Sequence, residues 1–190
     1  MAQARLNVQD GGTLSGVGTI GATQITQGGI IAPGNDGAIG TLTVNQNLTM
    51  ARGTLFRAKG NGQSSGTTIT DGGKTYSGLN SDRIQAAGNV SLNGRMVNFN
   101  VARRTVLKAR NAYTILEATG SLSGQFDRLE SNISEQYLFL KPSLFMRATS
   151  LVSSLMAAAS ALPRSAARKT ESRSAAHWIN CLKPTRLRSL

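Results

Sequence analysis

One cysteine, one histidine and one tryptophan are all that this 190-residue chain holds of those three types, and each scarcity excludes something. Cys181 has no second thiol, so no disulfide closes within the chain. His177 stands four residues before it, a spacing that can put two metal ligands on one helical face, yet two ligands cannot complete a tetrahedral site. The same scarcity leaves no Ser-His or Cys-His nucleophile for the folded portion. Aromatic residues make up 5% and hydrophobic residues 39% of the chain, too few to fill a thick globular core, so a thin and repetitive one is expected. Nor is there a run of 18 uncharged apolar residues. Residues 144–162 come nearest but include Arg147, and the opening Met1-Ala2-Gln3-Ala4-Arg5-Leu6 lacks the apolar stretch of a signal peptide. Taken alone, the chain is expected to stay in the cytoplasm.

Glycine is abundant, with 21 residues, but the last is Gly124, so two kinds of sequence are joined. Residues 1–142 are rich in Gly, Asn, Thr, Ser and Gln. They carry short β-branched or aromatic runs at 17–20, 29–31, 41–44, 89–92, 96–101 and 112–117, each bounded by turn residues and none with helical periodicity. From Ser143 onward, Leu144, Leu151, Leu155 and Leu162 recur at helical spacings in an Ala-rich run until Pro163, which predicts a helix followed by a basic tail, helical or disordered. Charge follows the same division. Residues 1–142 hold 13 Lys and Arg against 8 Asp and Glu, and residues 143–190 hold 8 against 1, so +7 of the net +12 lies in the last quarter. A basic tail attracts nucleic acid or anionic lipid, but with few aromatics and no nucleic-acid-binding motif the reading here is an unfolded tail without a specific nucleic-acid partner.

Motifs that resemble nucleotide sites dissolve on inspection. Gly16-Val17-Gly18-Thr19-Ile20-Gly21 fits the spacing of a dinucleotide-binding turn, but Ala22-Thr23-Gln24-Ile25-Thr26 continues as strand where a helix is required. Gly72-Gly73-Lys74-Thr75 resembles the end of a phosphate-binding loop, yet position 68 is Thr where that motif needs Gly, so the pair reads as turn glycines. The carboxylates Asp71, Asp82, Glu117, Asp127 and Glu130 are scattered, each beside turn residues or an arginine, and read as solvated turns or surface pairs. The expectation is a protein that is not an enzyme, with no catalytic residue, no metal and no cofactor.

Residues 30–50 are the most informative stretch. Pro33 and Gly34 interrupt a strand, Asn35, Asp36 and Gly37 supply turn backbone, and Leu42, Val44 and Leu48 resume an apolar-in alternation. Thr13-Leu14-Ser15-Gly16, Ser91-Leu92-Asn93-Gly94 and Ser121-Leu122-Ser123-Gly124 echo one another. Short strands with recurrent turns and a thin core point to a solenoid, in which each coil buries its inner face only by stacking on its neighbours; about six coils of roughly 22 residues are expected.

The Ala32-Pro33-Gly34-Asn35 and Ile39-Gly40-Thr41-Leu42-Thr43-Val44 runs resemble a signature near the C-terminal end of bacterial autotransporter passenger domains. Ser81-Asp82-Arg83-Ile84 with residues 88–94, then Tyr113-Thr114-Ile115-Leu116, residues 120–126, and Tyr137-Leu138-Phe139-Leu140-Lys141-Pro142-Ser143-Leu144 are similar to the family's next blocks, in order, over roughly 140 residues. The resemblance implies an all-β fold, a right-handed parallel β-helix over 1–142. It also implies an autochaperone role, in which terminal coils template the folding of upstream coils during outer-membrane secretion. Ile115, Leu116, Phe126, Tyr137, Leu138 and Phe139 are expected in that stack. The implied partners are upstream passenger coils and a transmembrane β-barrel, the full-length parent lying at the cell surface.

After Leu144 the family pattern stops. Reading His177-Trp178-Ile179-Asn180-Cys181 in a shifted frame gives Leu-Asp-Gln/Lys-Leu, which resembles the family's linker, and leads to the hypothesis of a frameshift near Leu144 that replaced the barrel-bearing continuation. A remnant of this kind would self-associate through open solenoid ends. The alternative is a surface adhesin, because solenoids present long polar faces to glycans or proteins.

Overall fold

The computed structural model describes residues 5–94, 96–148 and 150–157, the last of these in backbone only. Its compact unit comprises Met1–Ala158. The regular structure of the described residues is almost entirely strand, most of it arranged as three parallel ladders. The first stacks β1 (Leu6–Val8), β4 (Thr23–Ile25), β7 (Leu48–Met50), β11 (Val90–Leu92) and β14 (Leu122–Gly124). The second stacks β2 (Thr13–Gly16), β5 (Ile30–Pro33), β8 (Leu55–Asp71), β12 (Met96–Val101) and β15 (Arg128–Ser131). A third stacks β3 (Gly18–Ile20), β6 (Thr41–Val44), β10 (Arg83–Ala86) and β13 (Asn111–Ala118).

These registers correct the expected coil length. Leu6 faces Thr23 after 17 residues, Thr23 faces Leu48 after 25, Leu48 faces Val90 after 42 and Val90 faces Leu122 after 32. The echo of Ser91-Leu92 with Ser121-Leu122 is therefore not the ladder register, which pairs Ser91 with Ser123. The 42-residue step contains an excursion: β8 runs on past the ladder and returns as β9 (Lys74–Ser81) in an antiparallel hairpin. Its tip is Asp71-Gly72-Gly73-Lys74, with φ of 51° and 73° at the two central glycines, the left-handed pair that suits a two-residue hairpin turn. The apparent phosphate-loop fragment is thus a hairpin tip.

Alternation within each short strand sends every second side chain inward, and the parallel register then stacks like on like. Ile25, Met50 and Leu92 form one fully buried column, Leu42, Ile84 and Leu116 another, and Ile31, Phe56 and Val97 a third. Phe56 stacks with Phe126 at 6.1 Å between ring centres, and Phe99 meets Tyr113 at 4.7 Å. Outside the column, one corner is tied by amides. Asn47 Oδ1 accepts from the backbone N–H of Asn89 at 2.8 Å, and Asn89 Oδ1 accepts from the backbone N–H of Ser121 at 2.9 Å, so the same turn is linked level by level.

The C-terminal part departs from expectation. The helix read from Leu144 onward is absent where the structure describes it: β16 (Leu140–Met146) and β17 (Ser150–Ala157) form an antiparallel hairpin, and β17 pairs antiparallel with β13. Helical spacing of the leucines loses here to a free strand edge that offers backbone partners along Ala112–Glu117. The only α-helix among the described residues is α1 (Ile133–Gln136). Pro163, His177 and Cys181 lie outside the described residues.

Of the six residues expected in the terminal stack, Ile115, Leu116 and Phe126 are buried and Tyr137 is half-buried. Leu138 and Phe139 are not in it, being 83% and 65% exposed. The Tyr137-Leu138-Phe139-Leu140 alternation reads as a strand, but Leu138 and Phe139 occupy the turn between α1 and β16, where alternation has no inner face to act on.

Candidate functional site

The chemistry of the described residues concentrates where Asp82 sits, between β9 and β10. Its side chain is fully buried, which the sequence did not reveal: Ser81-Asp82-Arg83 read as a turn and a surface pair. Oδ1 accepts the backbone N–H of Gly40 and Oδ2 that of Lys59, both at 2.9 Å, while Lys59 Nζ stands 3.9 Å from Oδ2. The same ammonium donates to the carbonyls of Asn35 and Ala38. One carboxylate and one lysine thereby pin the turn 33–40 to strands from two further levels of the stack. Burial raises the Asp82 carboxyl above the ordinary 3.8, opposed by the two backbone donors and by Lys59. Gly34 completes the fit: at φ 82° it lies against Asp82, and a Cβ there would come within 2.2 Å of Oδ1.

Two clefts flank this clamp. One, of about 480 Å³, runs over the outer face of the second ladder past Thr13, Ser15, Arg57, Lys59, Asn98 and Asn100. The other, of about 460 Å³, lies between the projecting hairpin and the third ladder, past Asn61, Gln63, Thr67, Asn80, Arg83 and Glu117. Within it Glu117 is 3.6 Å from Arg83 and accepts from Gln85 at 3.2 Å. Arg128 pairs with Glu130 at 2.9 Å across one strand of the second ladder. Of the carboxylates singled out in the sequence, then, Asp82, Glu117 and Glu130 each have a cationic neighbour, and only Asp82 is buried. Asp71 begins the hairpin turn, and Asp127 borders a shallow recess with Gln27, Arg52 and Gly53. The glycines at 16, 18 and 21 surround β2 and β3 and are followed by the strand β4. Among the described residues no group of three or more His, Cys, Asp or Glu could hold a metal ion. Tyr113, buried, donates its hydroxyl to the carbonyl of Asn61 at 3.0 Å, and burial, reinforced by Tyr137, pushes its phenol up.

No family model matches the chain. It is similar to an extracellular serine protease of Serratia marcescens. The two are 33% identical over 148 residues, 74% of this chain but 12% of the relative. That name corrects the expectation that the chain is not an enzyme. That expectation rested on a scarcity of His, Cys and paired carboxylates counted over 190 residues, whereas the matched stretch is 12% of a much longer protein named for protease activity. An extracellular relative also fits the surface location implied for the parent. No described helix is long and apolar enough to cross a membrane.

Proposed function

We propose that this chain is a segment of an autotransporter passenger whose three ladders are the faces of a right-handed parallel β-helix, and that its C-terminal end is the template on which preceding coils fold during secretion. The parent passenger carries an extracellular serine protease activity like that named for the relative, and the segment holds that passenger's stack in register. The observation that carries this reading is the asymmetry of the stack. At the C-terminal side β17 lies antiparallel along β13 and closes the third ladder, the other two ending in β14 and β15, while at the N-terminal side β1, β2 and β3 leave all three ladders open among the described residues. Growth by strand addition is then directed away from the hairpin, toward the N-terminal levels. The largest buried rings, Phe56, Phe99 and Tyr113, supply the first stacking surface near the capped end.

Pulsed hydrogen exchange during refolding tests this. Amide protection is expected first in β12, β13 and the β16–β17 hairpin and last in β1 to β3; protection that begins in the N-terminal strands would refute templating from the C-terminal end.

A further inference from the structure

Four exposed large hydrophobic residues stand out among the described residues, Val17, Val106, Leu138 and Phe139, and three of them lie on two segments joined by a hydrogen bond, the loop 102–110 and the turn that follows Tyr137. The loop 102–110, which joins β12 to β13, carries Val106 at 75% exposure. Tyr137 reaches this loop by donating its hydroxyl to the Thr105 carbonyl, so the turn bearing Leu138 and Phe139 abuts it. The same loop holds Arg103, Arg104, Lys108 and Arg110, all exposed. None of these four side chains makes a hydrogen bond or ion pair among the described residues. No acidic residue occurs between Asp82 and Glu117 in the sequence. The acids of the adjoining segment are Glu130 and Glu135, which line a cleft with Leu138, Arg128 and Lys141.

The loop is held, not loose. The Thr105 hydroxyl donates to the Ala102 carbonyl at 2.7 Å, the side-chain oxygen of Asn111 accepts from the Lys108 N–H at 2.6 Å, and Leu107 packs against the core. Arg104 and Arg110 both take left-handed backbone, φ 66° and 67°, a conformation unfavourable for a non-glycine residue. A fixed loop that spends strain on two arginines and surrounds an exposed valine with unpaired cations, beside an exposed leucine and phenylalanine, has the two components of interfacial membrane binding: apolar side chains to enter the headgroup boundary and cations for lipid phosphates.

We propose that this corner is a docking surface for an anionic, phosphate-bearing lipid surface, with Leu138, Phe139 and Val106 inserted and the four cations on headgroup phosphates. Charge decides among occupants. Residues 159–190 of this chain carry seven Lys and Arg against one Glu, and a second copy brings a net +12, so both are repelled by the basic loop.

The test uses the full chain with Phe139→Cys in a Cys181→Ser background, labelled with an environment-sensitive fluorophore. With vesicles of phosphatidylcholine and phosphatidylglycerol at 4:1 the emission should shift blue, and with phosphatidylcholine alone it should not. Each basic residue near such a surface contributes about fivefold to the binding constant, so Arg103→Gln, Arg104→Gln, Lys108→Gln and Arg110→Gln together should weaken the label-reported binding by a hundredfold or more. Because both proteins keep the basic C-terminal residues, that difference reads the loop. Three outcomes overturn the proposal: co-sedimentation with vesicles but no spectral shift, which assigns binding to the other cations; a shift present without vesicles and dependent on protein concentration, which assigns the corner to a second copy; or the same shift with duplex DNA, which assigns it to polyanions in general.

Discussion

Replacing Gly34 by alanine puts a methyl group where Asp82 already stands. The added Cβ would lie 2.2 Å from Asp82 Oδ1, 2.9 Å from its Cγ and 3.0 Å from the Ala38 carbonyl oxygen, and φ at this position is 82°. Left-handed backbone alone costs a non-glycine residue about 1 to 2 kcal/mol. Relieving the clash either strains the turn, at about 1 to 3 kcal/mol, or pushes the carboxylate off the N–H groups of Gly40 and Lys59, where each buried donor left unpaired costs about 1 to 3 kcal/mol. Gly34→Ala should therefore lose about 3 to 5 kcal/mol, a large share of the stability of an ordinary domain. Asp82→Ala removes the carboxylate from this contact, so in that background Gly34→Ala should cost its backbone strain and a small adjustment of the Ala38 carbonyl, 3.0 Å from the added Cβ. Urea unfolding followed by circular dichroism, run as a double-mutant cycle, should give about 2 kcal/mol of coupling. Additivity within about 0.5 kcal/mol would mean that the two residues do not meet and that the clamp is misdescribed.

Other perturbations follow from the same packing. Leu116→Ala leaves a cavity in a column one side chain wide and should cost about 2 to 5 kcal/mol, whereas Phe139→Ala, on an exposed turn, should stay within about 0.5 kcal/mol; denaturant midpoints separate the two. Thr54 is buried, and its Oγ1 has no hydrogen-bond partner among the described residues, so Thr54→Val should be neutral or raise the melting temperature. Because burial raises the Asp82 carboxyl above its ordinary 3.8, its contribution is complete below that value and declines as pH rises through the raised folded value. The stability gap between the natural protein and Asp82→Asn should thus narrow from pH 4 toward pH 7 in thermal melts; a gap that widens with pH would mean that the ion pair with Lys59 outweighs desolvation.

Much of this arrangement was legible because period-2 alternation with turn punctuation is a local signal. Leu42, Val44 and Leu48 point inward as their spacing requires, and the short runs at 41–44 and 96–101 are strands. What the sequence concealed is non-local. Asp82 is buried only because strands 23 and 42 residues away bring the Lys59 and Gly40 N–H groups to it. Leu144 and its neighbours keep helical spacing, but a vacant edge on β13 makes them strand. Gly72 and Gly73, which read as turn glycines, are the two central residues of the β8–β9 hairpin turn. Coil length followed a generic repeat, which cannot anticipate a hairpin inserted into one level. Leu138 and Phe139 show the opposite failure, an alternating pattern with no sheet beneath it.

The central claim is that residues 32 to 42 apart lie level on level in parallel register. Thr43, Gln85 and Glu117 form one outward column, and adjacent parallel strands at about 4.8 Å place cysteines at such positions within disulfide range. In a Cys181→Ser background, oxidative cross-linking of the pairs Thr43→Cys with Gln85→Cys and Gln85→Cys with Glu117→Cys should be rapid. The off-register pair Thr41→Cys with Gln85→Cys should cross-link far more slowly. Equal rates for in-register and off-register pairs, or cross-linking only in the latter, would contradict the parallel stack.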